Sequence, residues 1–159
     1  MYRVGIGYDI HKLATGRDLI IGGVKITHEK GLLGHSDADV LIHAIIDAML
    51  GALALDDIGT LFPDNDDNYK DIDSSILLKK VSELVKNECC SIVNIDSNII
   101  VQEPKMMPYI PKMKLALAKI LGISPNDISI KAKTKENLDA VGQKLAIEAN
   151  AVVLIKNNG

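Results

Sequence analysis

The sequence predicts an α/β chain of the α+β type, a single domain over residues 1–159 with a mixed β-sheet covered by helices on one face. Three observations carry this. Short runs with strand-type alternation recur at the start, middle and end of the chain, around residues 2–9, 92–101, 128–133 and 147–156. Runs with helical apolar spacing lie between them, around 38–55, 74–87 and 110–121. No linker-like stretch and no internal repeat divides the 159 residues, a length that suits one core.

Composition excludes several classes. Hydrophobic residues make up 47% and charged residues 25%, as in an ordinary globular protein. The net charge of −3 gives no pull toward nucleic acid, and aromatics at 3% offer few stacking platforms for bases. An anionic ligand must therefore be held by local devices such as a metal, a few lysines or helix N-termini. The longest apolar run is too short to span a bilayer, and Met1-Tyr-Arg leads straight into strand pattern with no signal-peptide character. Cys89 and Cys90 are adjacent, which makes no useful staple; they read as two buried thiols at a strand start, in a reducing compartment.

Taken in order, Tyr2 to Asp9 is a strand with Val4, Ile6 and Tyr8 on one face and Gly5, Gly7, Asp9 and then His11 on the other. The glycines allow a backbone or a ligand to approach that face closely. Leu19-Ile-Ile21 and Val24-Lys-Ile26 flank Gly22-Gly23, a two-residue hairpin signal. Residues 29–38 read as a polar loop holding His35, Ser36 and Asp37. A helix follows from about Ala38 to Leu55, apolar except for Asp39, His43, Asp47 and Gly51. Spacing of four puts these on one stripe, drifting about 40° per step. A largely buried helix needs partners for such a seam, because an unpaired buried charge is costly.

Asp56 or Asp57 caps a short turn through Phe62, and the Asp- and Asn-rich stretch from Pro63 to Asp73 has loop composition. Asp73-Ser-Ser75 caps a helix over 74–87 with Ile76, Leu77, Val81, Leu84 and Val85 on one face. Ile92 to Val101 alternates as a strand. A Pro-bearing connection leads to a helix over about 110–121 ended by Gly122, then Ser124-Pro-Asn-Asp turns into a strand over 128–133. Thr134 to Leu145 is a short helical or irregular link to a last, nearly all-apolar strand, Ile147 to Lys156.

Asp9-Ile-His11 places two potential ligands on the same side of a strand end, and His43 adds a third. Three N/O ligands with an open fourth position suit a catalytic zinc site. Asp39 or Asp47 is a candidate acceptor orienting His43, with Asp39 alternatively a helix-start acid favoured by the dipole. Lys131 and Lys133 alternate with apolar residues ahead of Thr134 and Glu136. That pattern fits either a solvated strand face or a phosphate site.

Five segments together resemble the 2-C-methyl-D-erythritol 2,4-cyclodiphosphate synthase family. They are Gly7-Tyr-Asp-Ile-His11, Gly34-His-Ser-Asp-Ala-Asp-Val-Leu-Ile-His43, Asp57-Ile-Gly-Thr-Leu-Phe-Pro-Asp64, Gln102-Glu-Pro-Lys-Met-Met107 and Lys131-Ala-Lys-Thr-Lys-Glu136. The resemblance runs end to end in the family's order. It implies a lyase of the non-mevalonate isoprenoid pathway that forms the cyclic diphosphate from 4-diphosphocytidyl-2-C-methyl-D-erythritol 2-phosphate, releasing CMP. It implies a homotrimer whose neighbouring subunits share active sites and cover the second sheet face. The compartment it implies is the bacterial cytoplasm, or a plastid-type organelle after removal of a transit peptide.

By motif, Asp9, His11 and His43 are implied to bind Zn2+. His35 and Ser36 line the methylerythritol and phosphate pocket, and His35 and Thr134 stabilise the transition state. Asp57, Ile58 and Gly59 with Phe62, Pro63, Asp64, Asn65 and Asp66 hold the sugar alcohol. The stretch from Val101 to Met107, with Lys105 and Met106, forms the cytidine pocket. Lys133, Thr134, Lys135 and Glu136 hold the diphosphate, and Glu136 ligates Mg2+ or Mn2+. Ala140 and Gln143 depart from the family's usual phenylalanine and arginine, so a ligand on the trimer axis is not expected in the usual form. Two rival readings are a metal-dependent nucleotide phosphohydrolase and a non-catalytic zinc or cytidine-nucleotide binding module.

Overall fold

The computed structural model describes residues 1–159. Its main sheet has five strands in the order β4-β1-β7-β5-β6. The long strand β1 (Tyr2–Thr15) lies antiparallel to β7 (Ala146–Asn157), from Tyr2 opposite Lys156 to Lys12 opposite Ala146. β4 (Lys30–Leu33) pairs with the far end of β1, and β5 (Cys90–Ile100) lies antiparallel to β7. β5 and β6 (Ile128–Lys133) are the one parallel pair, joined through helix α4 (Ile110–Leu121). β2 (Leu19–Ile21) and β3 (Val24–Ile26) form the expected hairpin, with Gly22 and Gly23 both at positive φ as its turn requires.

Helix α1 (Val40–Leu53) crosses β1 and β7 and is buried along most of its length. Its close approach is written into two sets of small residues. A Cβ added to Gly5 would stand 1.9 Å from the carbonyl oxygen of Ala48, and one added to Gly7 would stand 1.9 Å from that of Ala44. The glycine face of β1 thus receives a helix backbone rather than a ligand, with Ala44, Ala48 and Ala52 stacked at intervals of four on the facing side. His43, next to Ala44, is carried to the same level as Asp9 and His11.

α3 (Ser74–Asn87) and α4 complete the helical layer, while α2 (Ile58–Leu61) and α5 (Asp139–Gly142) are single turns. Helix ends follow the expected chemistry: Asp57 accepts from Thr60 N, Asp73 from Ser75 N, and Gly122 closes α4 in the left-handed conformation. The opposite face of the sheet is open. Val4, Ile6, Tyr8 and Ile10 of β1 and Val152 of β7 are exposed there, with Ile6 at 74%.

The structure corrects three sequence-based expectations. Residues 29–38 are not all loop, because Lys30–Leu33 adds an edge strand to β1. Its Gly31 sits against the backbone of Arg17 and Asp18, a tight fit that alternation alone does not reveal. Cys90 is buried but Cys89 is exposed, turned outward at a positive φ between α3 and β5. The first strand continues past Asp9 to Thr15. No helix is long and apolar enough to cross a membrane.

Candidate active site

Asp9, His11 and His43 converge as the spacing predicts. Asp9 Oδ2 lies 2.9 Å from His11 Nε2 and 2.9 Å from His43 Nδ1, and the two imidazole nitrogens are 3.2 Å apart. Nδ1 of His11 is 3.0 Å from the carbonyl oxygen of Leu33, to which it donates, so its Nε2 offers a lone pair to the cluster. That carbonyl belongs to β4, the strand that periodicity missed.

These residues fit a metal ion. Ligand atoms of a tetrahedral site with bonds of about 2.0–2.1 Å stand roughly 3.3 Å apart. The three atoms here are only slightly closer than that, so a small spread admits the ion. The electrostatics point the same way. Burial pushes the Asp9 carboxyl up, but the two imidazoles beside it outweigh that and hold it down at about 2. His11 is raised by Asp9 in spite of its burial. The carboxylate gathers positive charge between the three side chains, and a divalent cation supplies that charge more fully than a proton.

Around the cluster lies a cavity of about 200 Å³. His35 and Ser36 form one wall, and Ile58, Gly59, Phe62 and Asp64 form another. Asp47 and Tyr69 also reach it. The Asp- and Asn-rich loop is tied to the His35 segment from both sides: His35 Nε2 is 3.1 Å from the carbonyl oxygen of Asp66, and Asp71 N donates to that of His35 at 2.7 Å. Arg17 adds a bond to the carbonyl oxygen of Ser36 at 2.7 Å. At the rim, Phe62 packs edge-on to Tyr69 with Lys80 Nζ over both rings, at 5.8 and 5.3 Å from their centroids.

The other two members of the helical seam do not touch His43's ring. Asp39 is the N-cap of α1: its carboxylate accepts from Ile42 N at 3.0 Å, Gly22 N at 2.9 Å and Gly23 N at 2.7 Å. Asp47 accepts from Ile58 N at 2.8 Å and so anchors α2, and burial raises its carboxyl. Neither orients His43, and the candidate role of Asp39 or Asp47 as acceptor for that histidine falls.

A second set of expected site residues lies apart from this cavity. Val101 N donates to the carbonyl oxygen of Lys133 at 2.8 Å, which brings the segments 101–107 and 133–136 side by side at the carboxyl ends of parallel β5 and β6. Thr134 Oγ1 donates to Glu136 at 2.9 Å. Lys135 pairs with Asp139 at 3.1 Å and with Glu148 at 3.5 Å. Lys133, Thr134 and Glu136 are exposed, as are Lys105 and Met107, whereas Val101 and Met106 are buried. None of them lines the cavity around Asp9 in this chain.

A sequence model of the YgbB family matches residues 2–156. The chain belongs to the YgbB family. It is 53% identical over 156 residues to the 2-C-methyl-D-erythritol 2,4-cyclodiphosphate synthase of Fusobacterium nucleatum, covering 98% of both chains. Its fold matches that of the bifunctional IspDF from Campylobacter jejuni with a TM-score of 0.95 at 36% identity, over 99% of this chain and 42% of that longer one. It also matches a CDP complex of IspF from Plasmodium falciparum with a TM-score of 0.88 at 38% identity, over 99% of this chain and 97% of that one.

In this YgbB protein the sequence pattern located the three clustered ligands and missed what steadies them. The carbonyl of Leu33, the guanidinium of Arg17 and the side chains of Asp37 and Ser74 are all within the framework of the cavity. Asp37 and Ser74 lie 37 residues apart, so no local spacing signals their meeting.

Proposed function

We propose that this chain converts 4-diphosphocytidyl-2-C-methyl-D-erythritol 2-phosphate to 2-C-methyl-D-erythritol 2,4-cyclodiphosphate with release of CMP, as a phosphorus–oxygen lyase of the non-mevalonate isoprenoid pathway. The observation that carries this is the Asp9, His11 and His43 cluster opening into a cavity walled by His35, Ser36 and the 58–64 segment. That cavity sits in a chain related over its whole length to proteins of that name.

An oxygen of the 2-phosphate attacks the β-phosphorus, and a new P–O bond closes the ring. The bond from that phosphorus to the oxygen bridging the α-phosphate breaks, and CMP leaves with the oxygen. The attacking group is already an anion, so the site needs no general base. Zn2+ held by Asp9, His11 and His43, with Mg2+ or Mn2+ at Glu136, would supply charge to polarise the β-phosphate and neutralise the leaving group. The protein's own part is positioning. Asp57, Ile58, Gly59 and Phe62 to Asp66 hold the sugar alcohol, and His35 and Ser36 meet the phosphates. The 101–107 segment holds cytidine, and Lys133 to Glu136 hold the diphosphate, with His35 and Thr134 aimed at the developing charge.

A homotrimer is part of the proposal. The open apolar face of β1 and β7 supports it, as does the separation of the two sets of residues within one chain, which a neighbouring subunit would reunite. The bacterial cytoplasm, or a plastid-type organelle, is the proposed compartment.

The test is phosphorus NMR of the purified chain with the cytidylated substrate, zinc and magnesium. CMP together with a cyclic diphosphate is expected. CMP with a linear product would instead indicate a phosphohydrolase, and zinc binding without turnover a binding module. His43→Ala should lose zinc and lower CMP release by about 10³-fold or more, the scale of a lost metal ion. Full activity in a folded, zinc-free variant would remove the metal assignment.

A further inference from the structure

We infer that Asp37 and Ser74 are positioning residues for His43: they hold its imidazole in the tautomer that carries the proton on Nε2 and leaves Nδ1 bare beside Asp9 and His11. The inference rests on the proposed metal site and adds to it the device that keeps one ligand ready.

Ser74 opens α3 and is fully buried. Its hydroxyl is 2.9 Å from His43 Nε2 and makes a short hydrogen bond to Asp37 Oδ1. Its backbone N–H donates to Asp37 Oδ2 at 3.1 Å. A carboxylate only accepts. The single hydroxyl proton of Ser74 is therefore committed to Asp37, and toward His43 the oxygen presents a lone pair. In that contact Nε2 is the donor. Ser36 Oγ, 3.2 Å from the same nitrogen, accepts from Ala38 N at 3.1 Å and has a second lone pair to offer Nε2.

The device answers a specific hazard. Nδ1 of His43 is 2.9 Å from Asp9 Oδ2, so a neutral imidazole has an attractive alternative. It can place its proton on Nδ1, donate to Asp9 and satisfy the cluster without any ion. That tautomer occupies the lone pair a metal needs. The chain from Asp37 through Ser74 works against it by holding an equally near acceptor, 2.9 Å from Nε2, on the far side of the ring. His11 has the equivalent device in the Leu33 carbonyl.

The test uses the full chain, stripped of metal, at a pH where the imidazole is neutral. Two-bond nitrogen-15 spectra read the tautomer of His43 directly. The wild-type chain should carry the proton on Nε2. In Asp37→Asn the amide can donate to Ser74, whose own proton then turns to Nε2, so the tautomer should invert to Nδ1–H. Ser74→Ala, which removes only the hydroxyl at a helix start, should give a mixture. Zinc affinity measured by chelator competition should fall about 10- to 100-fold in both variants. A wild-type ring protonated on Nδ1, or a tautomer unchanged in both variants, overturns the inference. If the wild-type chain binds no zinc, the metal assignment fails on its own, and the tautomer spectra still decide the relay.

Discussion

The chain carries two groups of expected site residues that are built in opposite ways. Asp9, His11 and His43 stand on a long strand and a buried helix, with their ligand atoms within 3.2 Å of one another and the His11 ring bonded to the Leu33 carbonyl before any ligand arrives. Lys133, Thr134 and Glu136 stand exposed at a strand end, where Glu136, Asn137 and Asp139 take positive φ. Their contacts are mainly among themselves. The first group is organised by packing, and the second, on the proposed reading, meets its counterparts when substrate or another chain supplies them. Changes that disturb packing should therefore damage the first group, and changes of charge should damage the second while leaving the fold intact.

The largest effect is expected at Gly7. Alanine there sets a methyl carbon 1.9 Å from the Ala44 carbonyl oxygen, and neither backbone can yield without moving α1 off β1. Overpacking of this kind typically costs about 1–3 kcal/mol, and backbone-to-backbone conflict belongs at the upper end. Gly7→Ala should lower the denaturant midpoint accordingly and weaken zinc binding, because His43 rides on the displaced helix. Gly59→Ala meets only Asp57 Oδ1 at 3.6 Å and should stay within about 0.5 kcal/mol of wild type. Equal losses at the two glycines would break the contrast.

A smaller, purely functional effect is expected at the strand end. If Lys133 holds the diphosphate as proposed, Lys133→Ala removes a charged partner worth about 1.5–3 kcal/mol of binding, and so should raise KM by roughly 10- to 100-fold. Glu136→Gln should raise the magnesium concentration needed for half-maximal rate. Both variants should keep wild-type unfolding curves and wild-type zinc affinity. A loss of zinc in either one would show that the two groups are coupled within one chain.

The same contrast decides what the sequence disclosed. Asp9 and His11 are legible because a strand repeats every two residues, and His43 because an apolar helix carries few polar residues. The helical layer, its caps and the Gly22-Gly23 turn follow from local chemistry and fall where the pattern puts them. Edge strand β4 does not, since four residues holding a glycine carry too little alternation to register. Asp37 and Ser74 are opaque for a different reason: their meeting depends on how α3 docks against the loop before α1. The exposed lysines around 133 have no burial signal at all. Without the resemblance, the same residues read first as a solvated strand face.

The smallest effect sharpens the division within α1 itself. Asp39 and His43 share one stripe of the helix, yet Asp39 serves the fold. Burial pushes its carboxyl from 3.8 to about 6, against three backbone N–H donors. Between those values the folded chain binds a proton at Asp39 that the unfolded chain has released. Asp39 therefore contributes most to stability below about pH 4, and that contribution declines as pH rises through about 6. Asp39→Asn keeps an acceptor for the helix start but cannot ionise. It should flatten this part of the pH dependence of the denaturant midpoint between pH 4 and 6.5. Because its amide leaves one of the Gly22 and Gly23 N–H groups without its oxygen, it should cost about 1 kcal/mol at neutral pH. An unchanged slope in the variant would place the titration elsewhere and return Asp39 to an ordinary charged cap.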